Sequence, residues 1–347
     1  MSEVTKQEQC PMHEVRRIPN DGTPTCPSPT FAIWREEGAA TPLEYSDGHE
    51  GLIINRYELA KMVLEDKRFS QTPARMPAHH GQALEAQYGL SSDSELDLGN
   101  VLGLDGEQHA RIRRTILNRY SVRSARGYES DMKEIVAKQL KHLMAQPTPV
   151  DVTKHYSQPI SAAGHMRVLG IPEQFRQEYS ELFVGDSTTE QKVEFLRRVL
   201  PVKKDELAED VLSDLLRSDL LVPEIEGLTL SLMVSGRDSV AYMITTCMTA
   251  LLNNPDQLKA LRDDPTLIAG GMEEFMRVGA MLLTLFPRTA TEDLTLGDVH
   301  IKAGQSVSVS PVAANHDERQ FPDPDKFDLS RDAFGHIGFG HGIHGCV

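Results

Sequence analysis

Near the end of the chain, Phe339-Gly340-His341-Gly342-Ile343-His344-Gly345-Cys346 sets a cysteine behind three glycines and two histidines. Glycine tolerates positive φ and close backbone approach, so a loop spaced by glycines can fold tightly around one sulfur. The amides of such a loop can point at the sulfur and favour its thiolate. Three readings fit these residue types. The first is a glycine-rich turn in which the cysteine is incidental. The second is a zinc centre drawn from His336, His341, His344 and Cys346, all of them zinc-capable ligands. Against it, the chain has no Cys-x2-Cys pair and no second cluster at finger-like spacing. The third makes Cys346 the thiolate ligand of a heme iron. Phe339 would then shield the sulfur, and Gly340 would let a flat cofactor lie against the loop.

Other stretches put polar chemistry where packing alone would not. Leu228 to Leu252 is the longest apolar-rich run, stopped by Asn253-Asn254-Pro255. As a helix of about 25 residues it would span roughly 37 Å, enough to cross the molecule. Its middle reads Ser235-Gly236-Arg237-Asp238-Ser239-Val240, so polar residues interrupt it. A solvent-facing patch would account for them. Yet a glycine inside a helix costs about 1 kcal/mol relative to alanine, and a charged pair among buried turns costs more unless satisfied. Such violations of local rules gather at functional sites. Upstream, His109 and Arg113 are four residues apart on the helix opened by Glu107, share a face, and can clamp a carboxylate. A solvated basic face is the plainer alternative. Glu274 and Arg277, at i and i+3, can pair on a further helix.

The elements that must position these groups are mostly helices. Residues 1 to about 30 carry five prolines and read as an irregular arm. Leu43 to Tyr45 and Leu52 to Ile54 read as strands, and Tyr57 to Leu64 as a helix capped by Asn55. Residues 70–100 read as a loop with a short helix, and the His79-His80 pair as solvated there. Residues 127–145 and 157–185 have amphipathic spacing, with a break at Gly170-Ile171-Pro172. Residues 185–210 read as two short helical patches in a charged stretch. Phe286 to Ala290 reads as a strand, and Val299 to Ile301 with Val307 to Val309 as a hairpin around Lys302 to Gln305.

The bulk numbers exclude several classes. A net charge of −15 and pI near 5.3 argue against nucleic acid or an anionic membrane as partner. No run of about 18 apolar residues suggests a membrane span, and the polar N-terminus lacks a signal-peptide core, so the expected compartment is the cytoplasm. Four scattered cysteines, Cys10, Cys26, Cys247 and Cys346, do not form a disulfide framework.

Taken in order, these motifs resemble the cytochrome P450 family over about residues 40–347. The Cys346 stretch is similar to its heme-binding loop, and Leu104 to His109 followed by Arg113 to its propionate-gripping helix. Ser235 to Ser239 is similar to its oxygen-binding kink, with Ser239 where threonine is common. Glu274 and Arg277, with Arg331 from the segment Phe321 to Arg331, resemble its structural network. The resemblance implies a mainly α fold with a small segregated β-sheet (α+β). Residues 31–347 would form one heme domain behind the arm 1–30. It implies heme b with Cys346 as axial ligand and Phe339 and Gly340 beside it. His109, Arg113, Arg288 and His344 would hold the propionates, and Asp238 and Ser239 would deliver protons. The implied activity is monooxygenation of a small organic substrate with O2, in secondary metabolism. Electrons would come from a ferredoxin or flavodoxin with its NAD(P)H-dependent reductase. The same heme can also drive radical coupling without oxygen insertion. The family continues past the position of Val347 into a helix and terminal strands. A further alternative is therefore a truncated, non-catalytic remnant that binds heme weakly. The lid region at 185–210 is shorter than the family's.

Overall fold

The computed structural model describes residues 16–72, 95–184 and 187–347. The His79-His80 pair, Cys10 and the first half of the proline-rich arm lie outside the described residues. What remains of the arm is irregular, tied down by an isolated bridge from Arg16 to Leu43. Helix α1 (Thr30–Glu37) follows at once and buries Phe31 and Trp34.

Among the described residues, seven strands make two sheets. They are β1 (Ala40–Glu44), β2 (Glu50–Ile54), β3 (Phe69–Ser70), β4 (Arg288–Ala290), β5 (Leu294–Leu296), β6 (Val299–Ile301) and β7 (Ser306–Val309). The larger sheet runs β1-β2-β7-β4-β3, and β5 pairs with β6 alone. The expected hairpin between β6 and β7 does not form. Instead β6 pairs antiparallel with β5, Leu294 opposite Ile301, while β7 lies parallel to β2 and antiparallel to β4. All four residues of β7 are buried, so it needs a neighbour on each edge. The turn is also fastened sideways, with Gly304 N–H donating to Ala290 O at 2.8 Å and Ala303 N–H to Asp293 Oδ1 at 2.7 Å. It links the two sheets. Helix α2 (Tyr57–Glu65) packs against this layer through Tyr57, Leu59, Ala60, Val63 and Leu64. Asn55 does not cap it; its amide donates to Thr41 Oγ1 at 2.8 Å. The Tyr57 N–H is satisfied by Asp317 Oδ2, 2.9 Å away and 260 residues downstream.

The helical body follows. It comprises α3 (Gly106–Leu117), α4 (Val122–Gly127), α5 (Glu129–Met144), α6 (Gln158–Leu169), α7 (Arg176–Val184), α8 (Thr189–Asp205), α9 (Val211–Arg217) and α10 (Val222–Asn253). Its core joins Ile112, Ile116, Leu169, Tyr179, Phe195, Leu212 and Leu228. The stretch read as two short patches is one 17-residue helix, α8. Thr188 and Gln191 close a reciprocal capping box at its start. Its buried stripe of Val193, Leu196, Val199 and Leu200 was obscured by the dense charge between those residues and by Pro201. The central helix α10 has 32 residues, about 48 Å. It begins earlier than hydropathy suggests because Glu224 reaches back to accept from Leu221 N–H at 2.9 Å. Helices α11 (Pro255–Asp263), α12 (Ile268–Val278) and α13 (Pro311–Asn315) complete the fold. Among the described residues no helix is long and apolar enough to cross a membrane.

Candidate active site

The segment leading to Cys346 has little regular structure, so something else must hold it. That anchor is the Glu274–Arg277 pair on α12, whose side chains are both fully buried. Arg277 Nε donates to Glu274 Oε2 at 2.7 Å and Nη2 to Oε1 at 2.9 Å. Arg331 Nε donates to the same carboxylate at 3.2 Å, and its Nη2 to the carbonyls of Asp323 and Lys326 at 2.9 and 3.0 Å. Asn315 extends the network. Its carbonyl accepts from Arg277 Nη1 at 2.9 Å, and its Oδ1 accepts from Ile337 N–H at 2.8 Å. Nothing in the local sequence marked Asn315, because its partners are 38 and 22 residues away.

From Ile337 the chain turns through glycines. Gly340 and Gly342 both have φ of 71°. At Gly342 a Cβ would also come within 2.4 Å of the Leu64 carbonyl oxygen on α2, so only glycine fits there. Cys346 N–H donates to Phe339 O at 2.8 Å. This closes the loop through the Phe339 backbone. The ring itself is 50% exposed, so it does not give the expected shelter. Cys346 keeps solvent contact, yet burial of the thiol raises its pKa, with the Arg113 charge pulling the other way.

Around this loop stand groups that seek carboxylates. His109 and Arg113 come from α3, whose start at Asp105-Gly106 turns on a positive φ of 61°. Arg113 Nη2 donates to Gly345 O. The rings of His109 and His344 lie 4.3 Å apart, centroid to centroid. Both Nε2 atoms are buried and make no hydrogen bond, although His344 Nε2 faces Asp105 Oδ1 at 3.6 Å, and a native protein rarely keeps such a pair without purpose. Burial lowers His109 to about 4 and lowers His344 as well. Arg288, at the start of β4, donates to Val63 O at 3.1 Å, and burial lowers it to about 10. Asp105 organises this corner, and its functional weight was not read from the sequence. Burial would raise its carboxyl. Contacts from His344, Ser70 and Thr72 and the Gln71 N–H outweigh that and hold it well below the usual carboxylate range. The Asp-Gly step opening a helix was the available signal.

Asp238 and Ser239 sit on a different element, the middle of α10. The helix is not interrupted there; it stays hydrogen-bonded throughout. The hydroxyls of Ser235 and Ser239 donate to the carbonyls four residues back, of Ser231 and Ser235, both at 2.8 Å. Such back-bonding bends a helix without breaking it. Val234, Ser235, Asp238 and Val240 are exposed while Leu232, Met233 and Ala241 are buried.

Two buried imidazole nitrogens that make no hydrogen bond within the chain, beside two arginines, suit the two propionates of a porphyrin, and a glycine-wrapped cysteine suits its iron. The residues present therefore fit heme b. Zinc does not fit, since among the described residues no three His, Cys, Asp or Glu side chains converge to hold a metal ion. Site and fold together define a heme-thiolate protein. Residues 128–347 match the family model described as Cytochrome P450, and the chain belongs to the cytochrome P450 family. It is 31% identical over 336 residues to cytochrome P450 107B1 of Saccharopolyspora erythraea, covering 91% of this chain and 82% of that relative. It is 30% identical over 338 residues to the cytochrome P450 monooxygenase PikC of Streptomyces venezuelae, covering 92% and 79%. The crystal structure of the mycinamicin VIII C21 methyl hydroxylase MycCI from Micromonospora griseorubida, bound to mycinamicin VIII, superposes with TM-score 0.81 at 28% identity, covering 96% and 87%. The protein is an oxidoreductase of the P450 monooxygenase kind, with heme b as its cofactor.

Proposed function

We propose that this P450 hydroxylates a small organic substrate of secondary metabolism, inserting one atom of O2. The observation that carries this reading is the buried pair of His109 and His344 Nε2 atoms beside the Cys346 loop, neither of which makes a hydrogen bond within the chain. The named activities of its relatives support the reaction type. Bound heme supplies the activation of O2, and the Cys346 thiolate donates electron density to its iron.

The chain's own residues do the rest. His109 and His344 donate through Nε2 to propionates, and Arg113 and Arg288 add charge-assisted bonds. Arg113 also fixes the loop through Gly345 O. Gly340 and Phe339 shape the turn that presents the sulfur. The buried Glu274–Arg277–Arg331 network keeps that turn on α12. Ser239 can rotate its hydroxyl away from Ser235 O and pass a proton, and exposed Asp238 can replenish it from solvent. Residues 31–347 act as one heme domain behind the arm 1–30. The protein works in the cytoplasm and takes electrons from a ferredoxin or flavodoxin with its NAD(P)H-dependent reductase.

The test is spectroscopic. Reduced protein under carbon monoxide should show a Soret band strongly red-shifted from that of a histidine-ligated heme, and Cys346→Ala should abolish it. Heme-replete protein with a histidine-type band would overturn the assignment of Cys346. Replacing Asp238 by Asn or Ser239 by Ala should leave heme content unchanged and divert electrons to hydrogen peroxide. Unchanged coupling in both would remove those residues from proton delivery.

A further inference from the structure

Helix α6 carries a histidine, His165, to which nothing above gives a role. Its ring lies over Gly236 of α10. A Cβ on Gly236 would come 2.6 Å from His165 Nε2, 2.9 Å from Cε1 and 3.0 Å from Cδ2. The missing side chain at Gly236 is therefore space for an imidazole. On its other side, His165 Nδ1 is 2.7 Å from the hydroxyl of Tyr179.

Tyr179 is on α7 and is fully buried. Its ring lies 6.1 Å from that of Phe195 on α8, which in turn meets Phe175 at 6.0 Å. A chain of contacts thus runs from α7 and α8 through one imidazole to the main chain of the central helix. It arrives two residues before Asp238 and three before Ser239. Burial lowers His165 to about 4, so the ring is neutral near pH 7 and can meet the phenol through a single hydrogen bond. An aliphatic side chain of similar size would fill the space, but Tyr179 would have no means of orienting it. Because Gly236 has no side chain, a tilt of the ring passes straight to backbone atoms, with no rotamer to absorb it.

We propose that His165 is a positioning residue for oxygen activation: oriented by Tyr179, it sets the backbone of the Gly236–Ser239 turn according to where α7 and α8 sit. The proposal rests on the roles given above to Asp238 and Ser239. It adds that their placement is tied to two helices packed on the far side of the His165 ring.

The experiment is hydrogen exchange on the heme-loaded protein, with peptides covering residues 234–241 and, as internal control, 245–252 of the same helix. Tyr179→Phe removes one oxygen and keeps the ring. It should speed exchange in 234–241 about 5- to 50-fold and leave 245–252 within twofold. His165→Leu should do the same. His165→Gln keeps a polar tip and an acceptor for Tyr179, and should restore slow exchange. In the double variant Tyr179→Phe, His165→Leu, the effects should not add, as expected of residues acting through one contact. Unchanged exchange in 234–241 for both single variants would overturn the proposal. So would equal acceleration along the whole of α10, which marks a packing role only. Unchanged coupling in Asp238→Asn and Ser239→Ala is a separate result. It would sink their proton role without touching the exchange readout.

Discussion

His109 and His344 illustrate what single residues contribute. Each presents one buried Nε2 that makes no hydrogen bond within the chain, and each is expected to give one hydrogen bond to a carboxylate. A hydrogen bond to a charged group is worth about 1.5–3 kcal/mol. His109→Ala and His344→Ala should therefore each speed heme loss to excess apomyoglobin about 10- to 100-fold. The fold should survive, since α3 and the loop are each held by other contacts. Transfer rates equal to the parent would show that these rings do not touch the cofactor. At this scale the sequence was most legible. Cys346, His344 and the glycines announce themselves by type and spacing, because loop chemistry depends on residues a few positions apart. Asp105 and Asn315 did not, because their importance comes from partners far along the chain.

At the level of elements, the anchor of α12 makes the largest claim. Glu274 and Arg277 are wholly buried, and removing one partner of a buried pair costs about 3–5 kcal/mol. Glu274→Ala should lower the unfolding free energy extrapolated from urea titration by that amount. It should also free the 321–337 segment to proteolysis, with heme content falling alongside. Glu274 keeps both bonds from Arg277 when Arg331 is removed, so Arg331→Ala should cost less. The cap on α2 gives a gentler test. Asp317→Ala removes the acceptor for Tyr57 N–H and should destabilise by about 1 kcal/mol, whereas Asn55→Ala acts only through its bond to Thr41. Chevron or urea curves of the pair decide it. Helices were legible here and strand partners were not. The period of α5 or α12 is written locally. The choice of β2 and β4 as partners for β7 depends on a fully buried strand needing two neighbours, and those lie elsewhere in the chain. Local charge likewise obscured α8, whose apolar stripe is plain only against the core it faces.

For the whole molecule, acid sensitivity follows from buried neutral histidines. His316 is 2% exposed, shares a hydrogen bond with Val312 O at 2.9 Å, and is lowered to about 4 by burial, with the Arg277 charge adding to the effect. The unfolded chain takes up that proton near pH 6.5, and the folded chain resists it until about 4. Stability from this group is fully present above about pH 6.5 and is lost as pH falls toward 4, by about 2 kcal/mol at pH 5. Denaturation midpoints at pH 7.5 and 5.0 should differ less in His316→Gln than in the parent. An equal difference would show that this histidine is not the sensor. The class of fold was legible at this scale because motif order constrains architecture. The packing around the polar middle of α10 was not. The continuous helix was expected, but not the means by which it carries glycine and serine, which are back-bonding and the uptake of a ring from α6.

The parallel pairing of β2 with β7 matters for how the molecule is made. Gly51 lies opposite Ser306, so the central ladder of the sheet closes a loop of about 250 residues. The helical core, by contrast, draws every buried member from Val101 to Met233. Contacts distant along the chain form late, because closing a long loop costs entropy before any contact compensates it. During synthesis the helical core can consolidate while β1 and β2 wait, with exposed edges, for the last seventh of the chain. Ribosome-stalled chains ending near residue 290 should protect 101–233 from protease and leave 40–65 open. Heme capture would be the final event, since the cysteine loop rests its Gly342 on the Leu64 carbonyl of the very layer that closes last.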